Sequence, residues 1–417
     1  MAWPVGSFLR SFDLLKLCDL TQFYSPVSGG VKRYIAEKVR FLREHTTEDE
    51  HILIVPGARD EVVRTDRARV YTIGSPLLSR TSQYRALLRL EAVEEILETE
   101  KPSLIESGDP YQVAWKAVYS GRALGIPAIG FYHSHFPEAY VRTFQKYLGA
   151  MATEMLLDFS RRYIRNLYNR FERTIVPSPA LGQVLADWGV TNIVHSDLGV
   201  DTTVFQPEAR AGERDVRGEY GIPRNCTLLL YVGRLAQEKN THTLFAAFAR
   251  LHARAPGRFH LLLVGDGLQR SDLEETKAQC GAIPTPGAPQ GAITWLPYCA
   301  EAERLAEIYR AADFFVHPGV QETFGLVSLE AQACGTPVIG IRGSYMDRII
   351  HGSQNYWARE NSAEALANAI DETAANPCPD DKDALSARVH VQYSWQQVFG
   401  RLFELYRAIV TEYPLKQ

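Results

Sequence analysis

Several things are missing from this sequence, and each absence removes a class of protein. No Cys-x-x-Cys pair occurs among the six cysteines, Cys18, Cys226, Cys280, Cys299, Cys334 and Cys378. Scattered over 417 residues, they suit neither a disulfide framework nor a zinc knuckle, and the chain reads as one for a reducing cytoplasm. A surplus of positive charge is missing too. The 45 Lys and Arg against 49 Asp and Glu leave a net charge of -4, which argues against a nucleic-acid partner. No apolar run reaches the length of a membrane span, and Arg10, Asp13 and Lys16 interrupt the apolar residues of MAWPVGSFLRSFDLLKLCDL. A secretory signal or spanning anchor is not expected there, so any membrane contact is peripheral. No G-x-G-x-x-G follows a first strand, which disfavours a dinucleotide oxidoreductase. Internal repeats and low-complexity tracts are also absent.

What is present alternates. Short Leu-rich or β-branched runs are followed by a polar or Gly-rich break and then a longer amphipathic stretch, the pattern of βα units on parallel sheets. In the first half the expected strands are 14–20, 51–56, 69–74, 103–107, 127–133, 173–178 and 192–198; in the second, 227–233, 259–265, 292–297, 313–318 and 336–341. Between the sets, GVDTTVFQPEARAGERDVRGEYG reads as a linker, dividing residues 1–199 from 200–393. Segment 138–172 predicts one long helix or a pair, and SWQQVFGRLFELYRAIV a final amphipathic helix. Arg161, Arg162, Arg165, Arg170 and Arg173 make the most basic local cluster. A solvated face explains it most simply; a surface facing an acceptor or an anionic membrane is the alternative.

The stretch QETFGLVSLE places Glu322 and Glu330 on either side of a Phe-Gly pair. Helix signals begin at Gly325, and Gly335 with Pro337 stops the helix. The N–H groups of Phe324, Gly325 and Leu326 then lie at a helix N-terminus, where free donors and the dipole favour an anion such as a phosphate. Glu330, one turn in, can accept from two vicinal hydroxyls of a ribose, and Glu322 from the hydroxyls of a sugar beyond the phosphates. Upstream, YVGRLAQEKN sets Arg234 and Lys239 after a strand that ends in Gly233, a pair suited to a diphosphate at the crevice of an open sheet. Gly265 and Gly267 end the next strand, and Tyr298 with Cys299 supplies a loop that could flank a base. The Asp381-Lys382-Asp383 run, which spells D-x-D, lies in a polar stretch and reads as a solvated loop.

VGRLAQEKN, LLLVGDG and ETFGLVSLEAQACGTPVI together resemble the retaining glycosyltransferases of family 4, glycosyl transferases group 1. The likeness is close from about residue 227 to 345 and looser in GGVKRY (29–34), FYHSH (131–135), VPSPAL (176–181) and LGVDTTVFQP (198–207). It implies an α/β GT-B fold: two Rossmann-like domains with parallel sheets facing a central cleft, the acceptor domain first and the nucleotide-sugar donor domain second. The last helix, 394–417, is implied to pack back on the first domain. Arg234 and Lys239 match the diphosphate-binding pair, Glu330 the ribose glutamate and Glu322 the glutamate near the transferred sugar. His133 stands where the family keeps a histidine reaching that sugar, with His135 its rival, and Gly29-Gly30 where a glycine loop approaches the diphosphate. The expected donor site is thus Gly29, Gly30, Arg234, Lys239, Gly265, Tyr298, Glu322, Thr323, Phe324, Gly325, Leu326 and Glu330. Glu322, His133, Arg234 and Lys239 are its catalytic members.

The reaction so implied moves a glucose- or mannose-type hexose from a UDP- or GDP-sugar to a carbohydrate or lipid-linked hydroxyl. Anomeric configuration is kept, and no metal or other cofactor is needed. Arg234, Lys239 and the helix donors meet the charge of the departing diphosphate. A nucleotide-sugar epimerase would share the architecture without the VGRLxxEKN stretch. A non-catalytic sugar-nucleotide-binding scaffold would have no reason to keep Glu322, Arg234, Lys239 and Glu330 together.

Overall fold

The computed structural model describes residues 14–24, 30–78, 83–133, 145–282, 291–299, 301–320, 322, 324–344, 346, 348–352, 357–376 and 382–413. The chain forms two compact units. The first holds the described residues up to Ser196 and those from Phe399 onward, and the second runs from Asp197 to Val398. Among the described residues no helix is long and apolar enough to cross a membrane.

Among the described residues the sheet of the first unit has eight strands: β1 (Lys16–Leu20), β2 (Glu50–Gly57), β3 (Glu61–Arg64), β4 (Ala68–Gly74), β5 (Leu104–Ser107), β6 (Ala128–Phe131), β7 (Thr174–Val176) and β8 (Ile193–His195). Their order is β3-β4-β2-β1-β5-β6-β7-β8. Every neighbour is parallel except the β3–β4 pair. Strands covered on both faces read as unbroken apolar runs, which is why these were legible. β3 was not, because all four of its residues are exposed on the sheet edge and carry no burial pattern.

Beneath β1 and β5 lies a buried ionic cluster. Asp19 and Glu106 are paired in register, and the fully buried Lys38 ammonium stands 2.9 Å from each carboxylate. His51 approaches Asp19 at 2.6 Å. The helix Trp395–Glu412 closes the cluster through its later turns: Tyr406 donates to Glu106, and Arg407 pairs with Asp49 at 2.6 Å. Its Phe399 and Phe403 rings pack on Phe41. Removing one partner from such a buried set costs on the order of 3–5 kcal/mol, because the remaining charge has no water to replace it.

The second unit carries five parallel strands, β9 (Thr227–Val232), β10 (Phe259–Val264), β11 (Ile293–Leu296), β12 (Phe314–Val316) and β13 (Val338–Ile339), in the order β11-β10-β9-β12-β13. The chain winds one way from β9 to β11 and the other way from β12, so the strand order reverses between β9 and β12. Ligands of open α/β sheets sit outside the strand carboxyl ends at such a reversal.

Two expectations need correction, and a third holds. The stretch 199–221 is not a linker: Val200, Phe205 and Val216 are buried in the core of the second unit, and the Val200 N–H donates to Tyr393 at 2.8 Å. Its few apolar residues carry the packing, and its polar majority hid them. In segment 138–172, residues 138–144 lie outside the described residues. The rest is the expected pair: Gln145–Tyr168 is two helices joined across a kink at Gly149, whose φ of 76° and ψ of 164° break the helical path. Asp381 also lies outside the described residues, but Lys382 and Asp383 open the helix Lys382–Tyr393 and are not loop.

Candidate active site

The loops at the β9/β12 reversal bring together residues far apart in sequence. After β9, Gly233 has a φ of 154° and Gly265, after β10, a φ of 139°. A Cβ on Gly265 would collide with the Gly233 carbonyl oxygen, and one on Gly267 with that of Leu235. These glycines let two strand-end loops cross with their backbones in contact. Gly265, expected at the donor, therefore has a structural reason to be glycine before any ligand is considered. The Tyr231 hydroxyl, 2.9 Å from the Arg234 carbonyl oxygen, further shapes the loop.

Lys239 ends the short 3-10 turn Gln237–Lys239, and Asn240 follows in the left-handed region with a φ of 58°. The Asn240 amide donates to the Pro318 carbonyl at 2.8 Å and to Asn361 at 2.7 Å. That bond fastens the loop after β9 to the loop after β12. Asn240 was missed in the sequence, although asparagine just before a helix is a common left-handed residue. Across this fastening the Lys239 ammonium pairs with Glu322 Oε2. His317, the residue after β12, points its Nε2 at the same oxygen from 3.9 Å. Burial holds the His317 imidazole below its ordinary pKa; Glu322 pulls it up and Lys239 pushes it down.

The helix Leu326–Ala333 starts behind Glu322 as the sequence signals indicated, with Gly325 at a φ of 84°. A Cβ there would strike the buried Met346 side chain. The Phe324 ring is buried in the core beside Tyr393, which leaves the expected role to its backbone N–H. Leu326 is half-buried. Glu330 is buried, and the Tyr309 hydroxyl donates to its Oε2 at 3.0 Å. Arg234 is largely exposed and pairs with Glu238 at 2.9 Å. Tyr298 is 77% exposed.

The remaining candidates belong to the first unit. Gly30 opens the helix Gly30–His45, and a Cβ there would meet nothing within 4 Å. His133 follows β6 and donates from Nε2 to the Gly108 carbonyl oxygen; burial lowers the ring's pKa and that hydrogen bond raises it. Asp109, beside Gly108, was missed. Buried, it accepts from the Gln22 N–H at 2.6 Å and from Thr21 at 3.2 Å, yet burial raises its pKa to about 6. Gly29, His135 and Thr323 lie outside the described residues. Of the arginine cluster, Arg170 lies over the Trp115 ring and Arg173 pairs with Glu412, whereas Arg162 and Arg165 are exposed.

Residues 213–388 match the profile of the glycosyl transferases group 1, and residues 28–204 that of glycosyltransferase family 4. A GDP-mannose-dependent alpha-(1-6)-phosphatidylinositol dimannoside mannosyltransferase of Mycobacterium tuberculosis is 29% identical over 387 residues, 92% of this chain and 93% of the relative. A GDP-mannose-dependent alpha-mannosyltransferase of Corynebacterium glutamicum is 32% identical over 81% of this chain and 75% of its own length. Among solved structures, sucrose-phosphate synthase from Thermosynechococcus elongatus superposes with a TM-score of 0.68 at 22% identity, over 95% of this chain and 99% of that one. HepE of Anabaena, in complex with UDP and glucose, gives 0.69 at 18% identity, over 94% and 100%. At that identity the likeness concerns the fold, and the expected GT-B class holds.

Proposed function

The chain belongs to the glycosyl transferases group 1 within family 4 and is a hexosyltransferase, and from that premise we propose that it transfers mannose from GDP-mannose to a lipid-linked hydroxyl, with retention and without a metal. The observation that carries this reading is the pairing of Lys239 with Glu322 beside the helix N-terminus at Gly325. It gathers a cation, a carboxylate and the N–H donors of a helix N-terminus at the strand reversal, groups that suit a nucleotide sugar. The choice of GDP-mannose over UDP-glucose is supported by the two mannosyltransferase relatives.

In this reading the second unit holds the donor. Arg234, Lys239 and the N–H groups of Phe324, Gly325 and Leu326 serve the diphosphate, and Thr323 is assigned to the donor as well. Glu330 takes the ribose hydroxyls, Glu322 the hydroxyls of the mannose, and Tyr298 flanks the base. Gly265 shapes the loop that carries Arg234. The first unit holds the acceptor; its His133 is assigned to the transferred sugar and its Gly29-Gly30 loop to the diphosphate. The bond from the anomeric carbon to the diphosphate oxygen breaks as the acceptor oxygen attacks from the same face. The acceptor's proton passes to the leaving phosphate. Charge developing on the diphosphate meets donors already in place, which is where most of the rate is gained.

The protein is further proposed to work in the cytoplasm at a membrane surface. Met151, Met155 and Phe159, at successive helical turns, are 81%, 69% and 68% exposed. With the exposed Arg162 and Arg165 on the following turns, they suit an anionic bilayer that also presents the acceptor. Incubation with GDP-mannose, UDP-glucose and bacterial lipid extract tests the function. Mannolipid and GDP should form in the presence of EDTA, with an α-linked product by NMR. A β-linked product, or activity with UDP-glucose alone, would overturn the assignment.

A further inference from the structure

The helices Gln145–Tyr168 and Pro179–Asp187 follow β6 and β7, and each leads to the next parallel strand of the sheet. Right-handed crossovers place both on one face of that sheet. Where they meet, Asp158, Arg161, Arg162 and Arg165 of the first helix and Asp187 and Trp188 at the end of the second line a cavity of about 510 Å³, a size that suits a small ligand. Three arginines against two aspartates leave it basic. Both aspartates are engaged: Arg162 pairs with Asp158 at 2.8 Å, and Asp187 accepts from the Gln183 amide at 2.9 Å. Among the described residues, the Arg165 guanidinium has neither an ion pair nor a hydrogen bond. Its stem is held all the same. A Cβ on Gly189 would stand 2.8 Å from the Arg165 Cδ, so the arginine lies directly on the backbone of the turn after Trp188. Asn169 fastens that turn to the first helix, donating to the Gly189 carbonyl oxygen at 2.8 Å and accepting from the Thr191 N–H at 2.9 Å.

Resting on the membrane reading above, we propose that this cavity is a phosphate site: it takes the headgroup phosphate of one anionic bilayer lipid, with Arg165 as the principal donor. A guanidinium presents two parallel N–H groups to two phosphate oxygens, a match that an ammonium cannot make. The occupant follows from what lies beside the cavity. Phe159, Arg162 and Arg165 succeed one another at three-residue spacing, so the surface passes from apolar to basic within two turns. A free phosphate leaves the exposed Met155 and Phe159 unexplained, whereas a lipid brings a phosphate and acyl chains to one place. A nucleic-acid phosphate is disfavoured by the net charge of -4. A site of this kind fixes how the first unit meets the bilayer. Diffuse attraction between a basic surface and anionic lipid does not.

Diffuse attraction depends on charge alone and a built site on geometry as well, so three variants separate them in cosedimentation of the full-length protein with phosphatidylcholine vesicles containing phosphatidylglycerol. Arg165→Gln should weaken binding more than about tenfold, as loss of a paired charge-assisted contact implies. Arg165→Lys, which keeps the charge and loses the fork, should weaken it nearly as much. Arg122→Gln, an equal loss of charge at an exposed position of the helix Gln112–Leu124, should cost no more than about fivefold, the worth of one cation near an anionic surface. Glycerol phosphate at fixed ionic strength should shift the Trp188 indole resonance of wild type and not of Arg165→Gln, and should displace wild type from the vesicles. Full binding by Arg165→Lys, or equal losses in Arg165→Gln and Arg122→Gln, overturns the site. A glycerol phosphate response with vesicle binding unaltered in both Arg165 variants overturns it too, by making the occupant a free anion. No donor is present in these measurements, so a chain that transfers no mannose can still pass them. Wild type that ignores phosphatidylglycerol altogether overturns the membrane reading and this inference with it.

Discussion

Lys239 and Glu322, 83 residues apart in sequence, form an ion pair across the point where the strand order of the second unit reverses. The pair neutralises the Lys239 cation with a carboxylate of its own chain. In the proposed reading, donor binding opens this pair. Its cost is modest, because both side chains are only partly buried and a diphosphate offers the ammonium a stronger partner.

Glu322→Gln removes the competing anion and frees Lys239. GDP affinity should be unchanged or tighter, while turnover should fall at least about tenfold, a loss of roughly 1.4 kcal/mol of transition-state stabilisation. Fluorescence or calorimetric binding of GDP beside a steady-state assay separates the two. A parallel loss of nucleotide affinity would remove Glu322 from the sugar side.

Arg234→Ala and Lys239→Ala should each lower turnover by about a hundredfold or more, the loss expected when one transition-state donor is removed. The losses should not add, since both residues serve one diphosphate. Arg234 is exposed and, among the described residues, bonded only to its own turn and Glu238, so thermal unfolding of its variant should match wild type. Loss of activity in EDTA, restored by magnesium or manganese, would show that a metal carries this charge instead.

Three glycines separate structural need from ligand need. Gly265→Ala should be the most damaging to stability, because the added methyl meets a backbone carbonyl that cannot yield. Gly325→Ala should cost less, about 1–3 kcal/mol for the left-handed backbone, because the Met346 side chain can move aside. Gly30→Ala should leave the melting temperature unchanged, since nothing lies within 4 Å. If Gly30 serves the diphosphate, its variant loses donor affinity alone.

Asp109 makes stability depend on pH. An aspartate in the unfolded chain ionises near ~3.9, whereas burial holds this one protonated to about 6. The folded state binds the extra proton between those values. The contribution is fully present below the lower value and is lost as pH rises through the upper one. Asp109→Asn should therefore gain stability relative to wild type between pH 4 and pH 7, by up to roughly 3 kcal/mol. Urea unfolding at the two pH values measures it; an unchanged difference would mean the acid ionises normally.

Met155→Asp and Phe159→Asp should each weaken sedimentation with phosphatidylglycerol vesicles and leave binding to phosphatidylcholine vesicles low. Wild-type binding should decline with salt, because the arginine contribution is screened. Binding that ignores both lipid charge and these substitutions would leave a merely solvated face.

The sequence by itself determined the strands, the class and the helix stop. Parallel strands covered on both faces must be continuous apolar runs, and a helix ends where Gly335 adopts a left-handed φ of 76°. Such signals are local, so a linear reading finds them. It likewise placed Arg234 and Lys239 on the loop after β9 and Glu322 and Glu330 about the start of the helix Leu326–Ala333, because a strand-end loop and a helix N-terminus are each written within a few residues. Only the tertiary structure decided which of these meet. The order β11-β10-β9-β12-β13 sets the loop after β9 against the loop after β12, and no periodicity encodes that order. From it follow the Lys239–Glu322 pair, the Asn240 fastening and the nearness of His317. The same reason explains the misses. β3 lies exposed at a sheet edge, and Phe205 fills a core assembled from distant segments. Asp109 has its pKa raised by burial, and burial belongs to the packed whole and not to the string of residues.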